Sequence, residues 1–470
     1  MKEETRYFKI LLILVLVVIL PVVAFASGSA SQSPAVLGIR VEFILFALTL
    51  LGVALFFRHT LKVALIGLAC ILIFKYNFTD GFSLLTHLFG QNSMVEQIIH
   101  KGMREGEWTI LINLFGLLTG FAVLAKHFEE SGLPDLLPKY LPDDWKGPWL
   151  LLVFVFVLSS FLDNIAAAMI GGTIALIIFK AKVHIGYIVA LVAASNAGGS
   201  GSVVGDTTTT MMWIDGVAAI NVFHAYVAAL VALFAFSIFA SFQQDKFQRI
   251  QKDATPGLKV DRMRLCIVFL ILLLTIATNV LFDMPAIGVW LAILTGSVFR
   301  KTPWGEARSA INGSFFLLAL VSCASLMPVE QLPDASWQTA FSLGLISAIF
   351  DNIPLTKLAL DQGHYDWGFL AYAVGFGGSM IWFGSSAGVA ITNKFPEARN
   401  IGLWLRKGWH VVLAYVLGFF ALFFLIGWEA ESNNEHIEPV INCKADKCNA
   451  RELSKAIEIL NFHHDSIAHQ

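Results

Sequence analysis

Two aspartates lie inside apolar sequence that is otherwise typical of membrane helices. Asp163 and Asp206 fall within residues 161–210, where most of the other side chains are small or aliphatic. A charged side chain at the centre of a bilayer costs roughly 2.5–3.5 kcal/mol on insertion scales, so an aspartate there is by default a functional residue. This stretch therefore constrains the fold more than any other, because both carboxylates must face protein or water rather than lipid.

The composition places these aspartates in a membrane protein. Of the 470 residues, 57% are hydrophobic and only 14% are charged, and the mean hydropathy is +0.71. Soluble domains carry about 25% charged residues. We therefore predict an all-α polytopic membrane protein whose main partner is the lipid bilayer. The net charge of −2 gives no reason to expect a nucleic acid partner.

A glycine-rich segment interrupts the helix that leads to Asp206. It contains Gly198, Gly199 and Gly205. Irregular backbone at membrane depth is tolerated only where it is buried in protein or lines a water-filled cavity. An alternative is that these glycines merely permit close helix packing, but that alternative does not explain the carboxylates.

The second half of the chain repeats this pattern. Asp351-Asn352 repeats Asp163-Asn164. The glycine break recurs as well, at the positions Gly377, Gly378 and Gly384. Paired broken segments in corresponding positions of two halves are the best sequence indication of a transporter's binding site. The sequence thus predicts two inverted repeats, each with a re-entrant hairpin and a broken helix.

The lengths of the apolar segments support re-entrant hairpins. Each arm around Asp163-Asn164 has about 15 residues, or roughly 23 Å of helix, which is short of the roughly 30 Å hydrocarbon core.

The predicted parts of the chain are a first repeat at 36–242 with hairpin 148–180 and broken helix 185–220, a cytoplasmic connector at 243–264, and a second repeat at 265–428 with hairpin 337–360 and broken helix 367–392.

The distribution of charge agrees with that layout. If the N-terminus is cytoplasmic and both hairpins re-enter, most lysines and arginines fall in cytoplasmic segments, as the positive-inside rule requires. The exterior segments then hold acidic residues, among them Glu107, Asp215 and Asp361. We expect a multi-pass protein of a bacterial inner membrane, with a soluble tail at 429–470 on the periplasmic side.

The two ends of the chain carry separate features. Residues 1–35 comprise a signal peptide or a first span, followed by a linker, because a basic start precedes an apolar run that ends in Ala24-Phe25-Ala26. In the tail, Cys443 and Cys448 either close a disulfide loop in an oxidising compartment, remain free or bind a metal.

The residues at the hairpin tips and breaks are oxygen donors. Carboxylates, amide oxygens and hydroxyls suit a small hard cation better than a soft metal. A carboxylate that holds either a proton or a cation, never both, is the minimal device for antiport. The ion-binding residues predicted on this ground are Asp163, Asn164, Asp206, Thr208, Thr209, Asp351 and Asn352, with Na⁺ at Asp163 and Asp206.

Structural alternatives remain open for several of these residues. Asp163 and Asp351 are also suited to capping helices, and threonine hydroxyls after Asp206 are able to bond backward to helix carbonyls. Asn113 and Asn312, which occupy matching helices of the two halves, are either ligands or interhelical hydrogen-bond residues.

The sequence resembles the ion transporter superfamily, and within it the NhaD-type sodium/proton antiporters most closely. The resemblance covers roughly residues 38–428 and is carried by Phe161-Leu162-Asp163-Asn164, Asn196-Ala197-Gly198-Gly199, Gly205-Asp206 with Thr208-Thr209-Thr210, Asp351-Asn352 with Pro354, and Gly377-Gly378-Ser379 with Gly384-Ser385.

The resemblance implies an elevator-type fold with a scaffold and a mobile transport domain, often in a homodimer. It also implies roles in ion binding or transport for Asn196, Ser385 and Ser386, beside the aspartates, Asn164, Thr208 and Thr209. We add Ser379, from the repeated glycine motif, to the predicted site. No cofactor is expected apart from the transported Na⁺ or Li⁺ and H⁺.

One departure from that family concerns the residues just after Asp163-Asn164. NhaD-type antiporters usually carry a threonine-rich run there, whereas this chain has Ala166-Ala167-Ala168. A transporter of an organic anion such as citrate or a dicarboxylate, or of an oxyanion or arsenite, is therefore the alternative. A membrane sensor or anchor for the tail is a third hypothesis. No constellation of residues in the sequence indicates an enzyme.

Overall fold

The computed structural model describes residues 34–430, apart from Leu37, residues 57–58 and residues 252–258. The described chain begins with a ribbon of two antiparallel strands, β1 (Ala35–Val36) and β2 (Ile39–Arg40). All other regular structure in the described residues is helical. The predicted signal peptide or first span, the tail beyond residue 430 and its two cysteines lie outside the described residues.

The first half contains helices α1 to α12 and two short 3₁₀ turns. The turns are Lys101–Met103 and Pro134–Leu136. The helices are α1 (Val41–Leu55), α2 (Thr60–Phe78), α3 (Leu84–Phe89), α4 (Met94–Ile99), α5 (Trp108–Glu129), α6 (Leu137–Tyr140), α7 (Lys146–Ser159), α8 (Asn164–Ile178), α9 (Ile185–Ser200), α10 (Thr207–Ile214), α11 (Ala219–Phe223) and α12 (Ala225–Phe247).

The second half contains helices α13 to α21, with 3₁₀ turns at Val329–Gln331 and Pro396–Arg399. The helices are α13 (Arg262–Phe282), α14 (Pro285–Ser297), α15 (Trp304–Ser325), α16 (Trp337–Ser347), α17 (Asn352–Gln362), α18 (Trp367–Gly377), α19 (Ser386–Lys394), α20 (Ile401–Lys407) and α21 (Trp409–Leu425).

Several of these helices are long and apolar enough to cross a membrane. Within the described residues they number five: α2, α5, α11 together with α12, α13 and α15. Helices α20 and α21 meet the same criterion as a pair bent by 61°. Phe269 and Val280 of α13 are each 66% exposed, as expected of side chains that contact lipid. The prediction of an all-α polytopic membrane protein is confirmed.

Four interruptions of helices fall at the sequences that the two halves share. Residues 160–163 separate α7 from α8, and residues 348–351 separate α16 from α17. The glycine breaks separate α9 from α10 and α18 from α19. Each aspartate of the two Asp-Asn dipeptides is thus the last residue before a helix.

Helices α9 and α18 form the centre of the described structure. Residues 186–200 of α9 are all buried, and so is every residue of α18. The two helices contact each other, and both contact α12. A helix that is apolar on all sides is stable when other elements cover it on all sides. This packing holds both glycine breaks in the interior of the protein.

Candidate functional site

Three aspartates cap helices at the interruptions. Asp163 precedes α8, Asp206 precedes α10 and Asp351 precedes α17. In each case a carboxylate oxygen accepts a hydrogen bond from the backbone amide two residues later, at 3.1 Å for Asp163 and Asp351 and at 3.5 Å for Asp206. The capping role that the sequence leaves open is therefore real, and it orients the three carboxylates.

The same three aspartates line one cavity of about 980 Å³. Asp206 is 2% exposed, whereas Asp163 and Asp351 are partly buried. The cavity extends from these carboxylates to Glu129 and Asn393, which are exposed at the protein surface. It therefore connects a buried carboxylate to the exterior of the protein.

Asp206 is held on both of its carboxylate oxygens. Its Oδ1 accepts a hydrogen bond from Asn164 Nδ2 at 3.1 Å, and its Oδ2 accepts one from Thr208 Oγ1 at 2.8 Å. These donors fix the position of the carboxylate, but neither carries a charge. A buried ionised carboxylate without an opposite charge is costly, so this position favours a bound proton or a bound cation.

Asn196 joins the two halves of the chain. Its Oδ1 accepts a hydrogen bond from Asn164 Nδ2 at 3.1 Å. Its Nδ2 donates to Ser379 Oγ at 3.0 Å and to Ser385 Oγ at 3.1 Å. One buried side chain thus connects the break that contains Asp206 with the corresponding break of the second half.

The glycines of the two breaks make corresponding close contacts. A Cβ on Gly198 would overlap the carbonyl oxygen of Phe156 in α7, and a Cβ on Gly377 would overlap that of Gly344 in α16. A Cβ on Gly199 would lie 2.7 Å from the carbonyl oxygen of the glycine that precedes Asp206. A Cβ on the residue after Gly377 would lie at the same 2.7 Å from the Gly384 carbonyl oxygen. Glycine is needed here because backbone approaches backbone.

The threonines after Asp206 have two different roles. Thr209 Oγ1 donates to the Asp206 carbonyl at 2.9 Å, and Thr210 Oγ1 does so at 2.8 Å. The hydroxyls of Thr209 and Thr210 therefore bond back to a carbonyl at the start of the helix, which is the alternative raised from the sequence, and they stabilise the backbone at the break. Thr207 and Thr210 also line the cavity, and Thr208 holds the Asp206 carboxylate.

The predicted site residues fall into three groups. Asn164, Asn196, Asp206, Thr208, Ser379 and Ser385 form one buried hydrogen-bond network. Asp163, Asp351 and Ser386 line the cavity with Asp206. Thr209 and Asn352 belong to neither group: Thr209 bonds to backbone, and Asn352 is buried at the start of α17, where its carbonyl accepts a hydrogen bond from Thr356.

The paired asparagines outside the site differ from each other. Asn113 Nδ2 donates to the Asp283 carbonyl at 3.3 Å, and Asn113 Oδ1 accepts from the Ala286 amide at 3.3 Å. Asn312 is exposed. For Asn113 the interhelical alternative is correct, because both ends of its amide bond to the segment that starts α14.

Sequence reasoning missed a buried lysine near the site. Lys357 of α17 is 2% exposed, and its Nζ lies 2.6 Å from Asp361 Oδ1 and 3.0 Å from Glu107 Oε2. The sequence did contain one indication of it: Lys357 and Asp361 are four residues apart on one helix, a spacing that allows an ion pair. The contact with Glu107 is long-range and leaves no local pattern in the sequence.

The inner end of the cavity is rich in oxygen atoms and acidic. The basic residues of the cavity lining, Lys126 and Lys394, belong to the last turns of α5 and α19. Among residues 34–430 as described, no group of three His, Cys, Asp or Glu side chains is spaced to hold one metal ion.

Comparisons with known proteins point to a family of membrane transporters. The family model described as "Citrate transporter" matches residues 10–377. "Sodium/proton antiporter 1" of Arabidopsis thaliana is 28% identical over 52% of this chain and 49% of its own length. The "Na(+)/H(+) antiporter NhaD" of Alkalimonas amylolytica is 26% identical over 52% of this chain and 62% of its own length. The aligned region thus spans about half to three-fifths of these relatives.

Proposed function

Because the chain belongs to the citrate transporter family and is a secondary transporter of that kind, we propose that it exchanges Na⁺ or Li⁺ for H⁺. The observation that carries this proposal is the environment of the Asp206 carboxylate. Asp206 is buried at the inner end of a cavity that reaches the surface, and the side chains that hold it are uncharged. The names of the relatives, as sodium/proton antiporters, support the same choice.

The exchange follows from the charge of one carboxylate. When Asp206 is ionised, Asn164 and Thr208 donate hydrogen bonds to it but leave its charge unbalanced. A cation that enters along the cavity supplies the missing positive charge, and Asp163 and Asp351 add to the attraction from the cavity wall. A proton on Asp206 satisfies the same need. Cation and proton therefore compete for one position, as antiport requires.

We assign the other predicted residues to the support of this position. Asn164 and Thr208 orient the Asp206 carboxylate, and Asn196 ties it to Ser379 and Ser385 of the second half. Ser386 offers a hydroxyl at the cavity wall.

The corresponding contacts at the two glycine breaks support two inverted repeats, each with a re-entrant hairpin. We further propose that these repeats move in an elevator-type cycle in a homodimer, within a bacterial inner membrane. The periplasmic placement of the C-terminal tail is part of the same proposal.

A transporter of citrate or another organic anion is the second candidate. The volume of the cavity, about 980 Å³, is far larger than a bare Na⁺ requires, and Lys126 and Lys394 line it. The matched family is also described as a citrate transporter. Against this candidate, the inner end of the cavity carries three carboxylates, which repel an anion.

A pH-gradient assay in everted membrane vesicles tests the proposal. The vesicles come from a strain without antiporters of its own, and the additions are Na⁺, Li⁺ and K⁺ chloride, then citrate and dicarboxylates. We expect Na⁺ or Li⁺ to collapse the gradient, and Asp206→Asn and Asp163→Asn to abolish the response. The matched control is Asp366→Asn, since Asp366 also caps a helix, α18, but does not line the cavity.

The outcomes separate the two candidates. If none of the three cations changes the pH gradient, and citrate changes it even in Asp206→Asn, the cation proposal is wrong and the protein is an anion transporter. A cation response that Asp206→Asn leaves intact would show that another group carries the exchange.

A further inference from the structure

A cluster of charged side chains around the buried Lys357 lies where two helices of the site end. Helix α10 begins after Asp206 and ends at Ile214, immediately before Asp215, and helix α17 begins after Asp351 and contains Lys357 and Asp361. Lys357 interacts electrostatically with Asp215 as well as with Asp361 and Glu107. Two of the three helices that start at a cavity aspartate, α10 and α17, therefore lead to the same ammonium group.

The cluster and the open end of the cavity lie at opposite ends of helix α5. Glu107 is the residue that immediately precedes α5, whereas Lys126 and Glu129 of its last turns line the cavity. The helix has 22 residues and is therefore about 33 Å long. Glu107, Lys357 and Asp361 are absent from the cavity lining. The aspartates thus communicate with one end of the protein, and the charge cluster occupies the other end.

The two carboxylates that pair with Lys357 differ in their relation to it. Asp361 is four residues away on the same helix, so this pair is kept whenever α17 moves as a unit. Glu107 belongs to a different element, and the Glu107–Lys357 pair spans the boundary between α17 and the start of α5. Any movement of α17 away from α5 at this end must separate that pair.

We propose that the Lys357–Glu107 ion pair is the closure of the pathway on the side opposite the cavity. It holds α17 against the start of α5 while the aspartates are open to the cavity, and it separates when access switches to the other side. Separation is unfavourable because it removes one of the carboxylates that balance the buried ammonium of Lys357. The pair therefore sets the population of the two access states. This inference rests on the proposed transport function but does not depend on which ion is carried.

Cysteine accessibility tests the closure without measuring transport. Thr356, next to Lys357 and fully buried, is replaced by cysteine in a full-length chain whose native cysteines are changed to alanine. A membrane-impermeant thiol reagent is added to right-side-out vesicles, where the side opposite the cavity mouth faces the reagent in the predicted topology. A second reporter, Ser309→Cys, lies at the exposed end of the cavity and is labelled in everted vesicles.

We expect Glu107→Gln to raise the labelling rate of Thr356→Cys several-fold and to lower that of Ser309→Cys. Asp361→Asn is the matched control, because it removes a carboxylate from the same ammonium but leaves the pair between elements intact. It should leave both rates nearly unchanged. Glu107→Met, which fills a similar volume without charge, replaces Glu107→Gln if that variant is not monodisperse.

Two results would overturn the closure. One is unchanged protection of Thr356→Cys when Glu107 is neutral and the protein is monodisperse. The other is equal labelling in the Glu107 and Asp361 variants, which would mean that loss of either charge merely loosens the cluster. Because labelling needs no transport, a failure of Na⁺/H⁺ exchange would leave the result valid for whichever solute is carried.

Discussion

The two glycine breaks have the same backbone contacts but different charge. In each, a Cβ on the first glycine would overlap a carbonyl oxygen of the preceding helix, α7 or α16, and a Cβ on the next glycine would lie 2.7 Å from the carbonyl oxygen of the last glycine of the break. The residue that caps the following helix is Asp206 in the first half and Ser385 in the second. Both caps accept a backbone hydrogen bond.

The difference between Asp206 and Ser385 shows that the backbone geometry of the break does not require a carboxylate. A serine caps the second helix adequately, since Ser385 Oγ accepts the Gly388 amide at 3.2 Å. The charge of Asp206 is therefore an addition to a geometry that stands without it. Residues that build the break and residues that carry charge can be tested separately.

The largest effect is expected from replacing the caps of the two breaks, one at a time. Asp206→Ser should abolish cation-dependent proton movement, because it removes the buried charge while keeping a capping hydroxyl. Ser385→Ala, which removes a hydroxyl bonded to Asn196, should reduce transport by about tenfold, as expected for loss of a hydrogen bond of about 1.4 kcal/mol. The measurement is initial rate in proteoliposomes. Equal losses in the two variants would contradict the asymmetry between the breaks.

The close contacts of the glycines predict a similar loss of stability at both breaks. Gly198→Ala and Gly377→Ala should each destabilise the protein by about 1–3 kcal/mol or more, because the added methyl overlaps a carbonyl oxygen. Thermal unfolding in detergent measures the effect. Gly313→Ala is the control: this position of α15 has open space around it, and alanine there should be neutral or slightly stabilising. If Gly377→Ala is tolerated and Gly198→Ala is not, the two breaks are not structurally equivalent.

The link between the breaks should matter less than the charge. Asn196→Ala removes the side chain that bonds to Asn164, Ser379 and Ser385. Buried polar groups left without partners cost about 1–3 kcal/mol, so we expect a lower melting temperature and a transport rate reduced by about tenfold. Asn312→Ala, at an exposed asparagine, is the matched control. Normal activity in Asn196→Ala would show that the two breaks work independently.

The smallest effect concerns a hydroxyl absent from the first half. Ala166 lines the cavity, whereas Ala168 is fully buried. Ala166→Thr should therefore lower the apparent KM for Na⁺ by a few-fold, since it adds an oxygen at the cavity wall. Ala168→Thr should instead reduce stability, because it places a larger polar side chain in a packed position. Concentration series of Na⁺ give the KM. An unchanged KM would place the cation away from Ala166.

The sequence was sufficient for the features that depend on local pattern. Apolar runs predicted the helical membrane fold, and the Asp-Asn dipeptides marked the positions where Asp163 and Asp351 cap helices. Glycine clusters marked the interruptions before Asp206 and Ser385. These features are visible because polar or flexible residues are rare in apolar segments, so each exception stands out.

The features that the sequence did not predict depend on long-range contacts. Glu107, Asp215 and Asp361 were interpreted as acidic residues of exterior segments, but the ammonium of Lys357 gathers them into one cluster. Nor did any pattern indicate that Asn196 bonds to serines of the second half. Thr208 and Thr209 are adjacent and chemically identical, yet only Thr208 donates its hydroxyl to the Asp206 carboxylate, because helix rotation directs them differently.

The amide of Asn196 gives the connection between the halves a direction. Its oxygen only accepts and its nitrogen only donates, so the first half supplies the donor Asn164 and the second half supplies two serine acceptors. If Asn164 shifts when Asp206 gains or loses its charge, Asn196 must follow, and both serines then need new donors. A change of charge at Asp206 is thereby coupled to the second half, and this coupling acts equally in both directions.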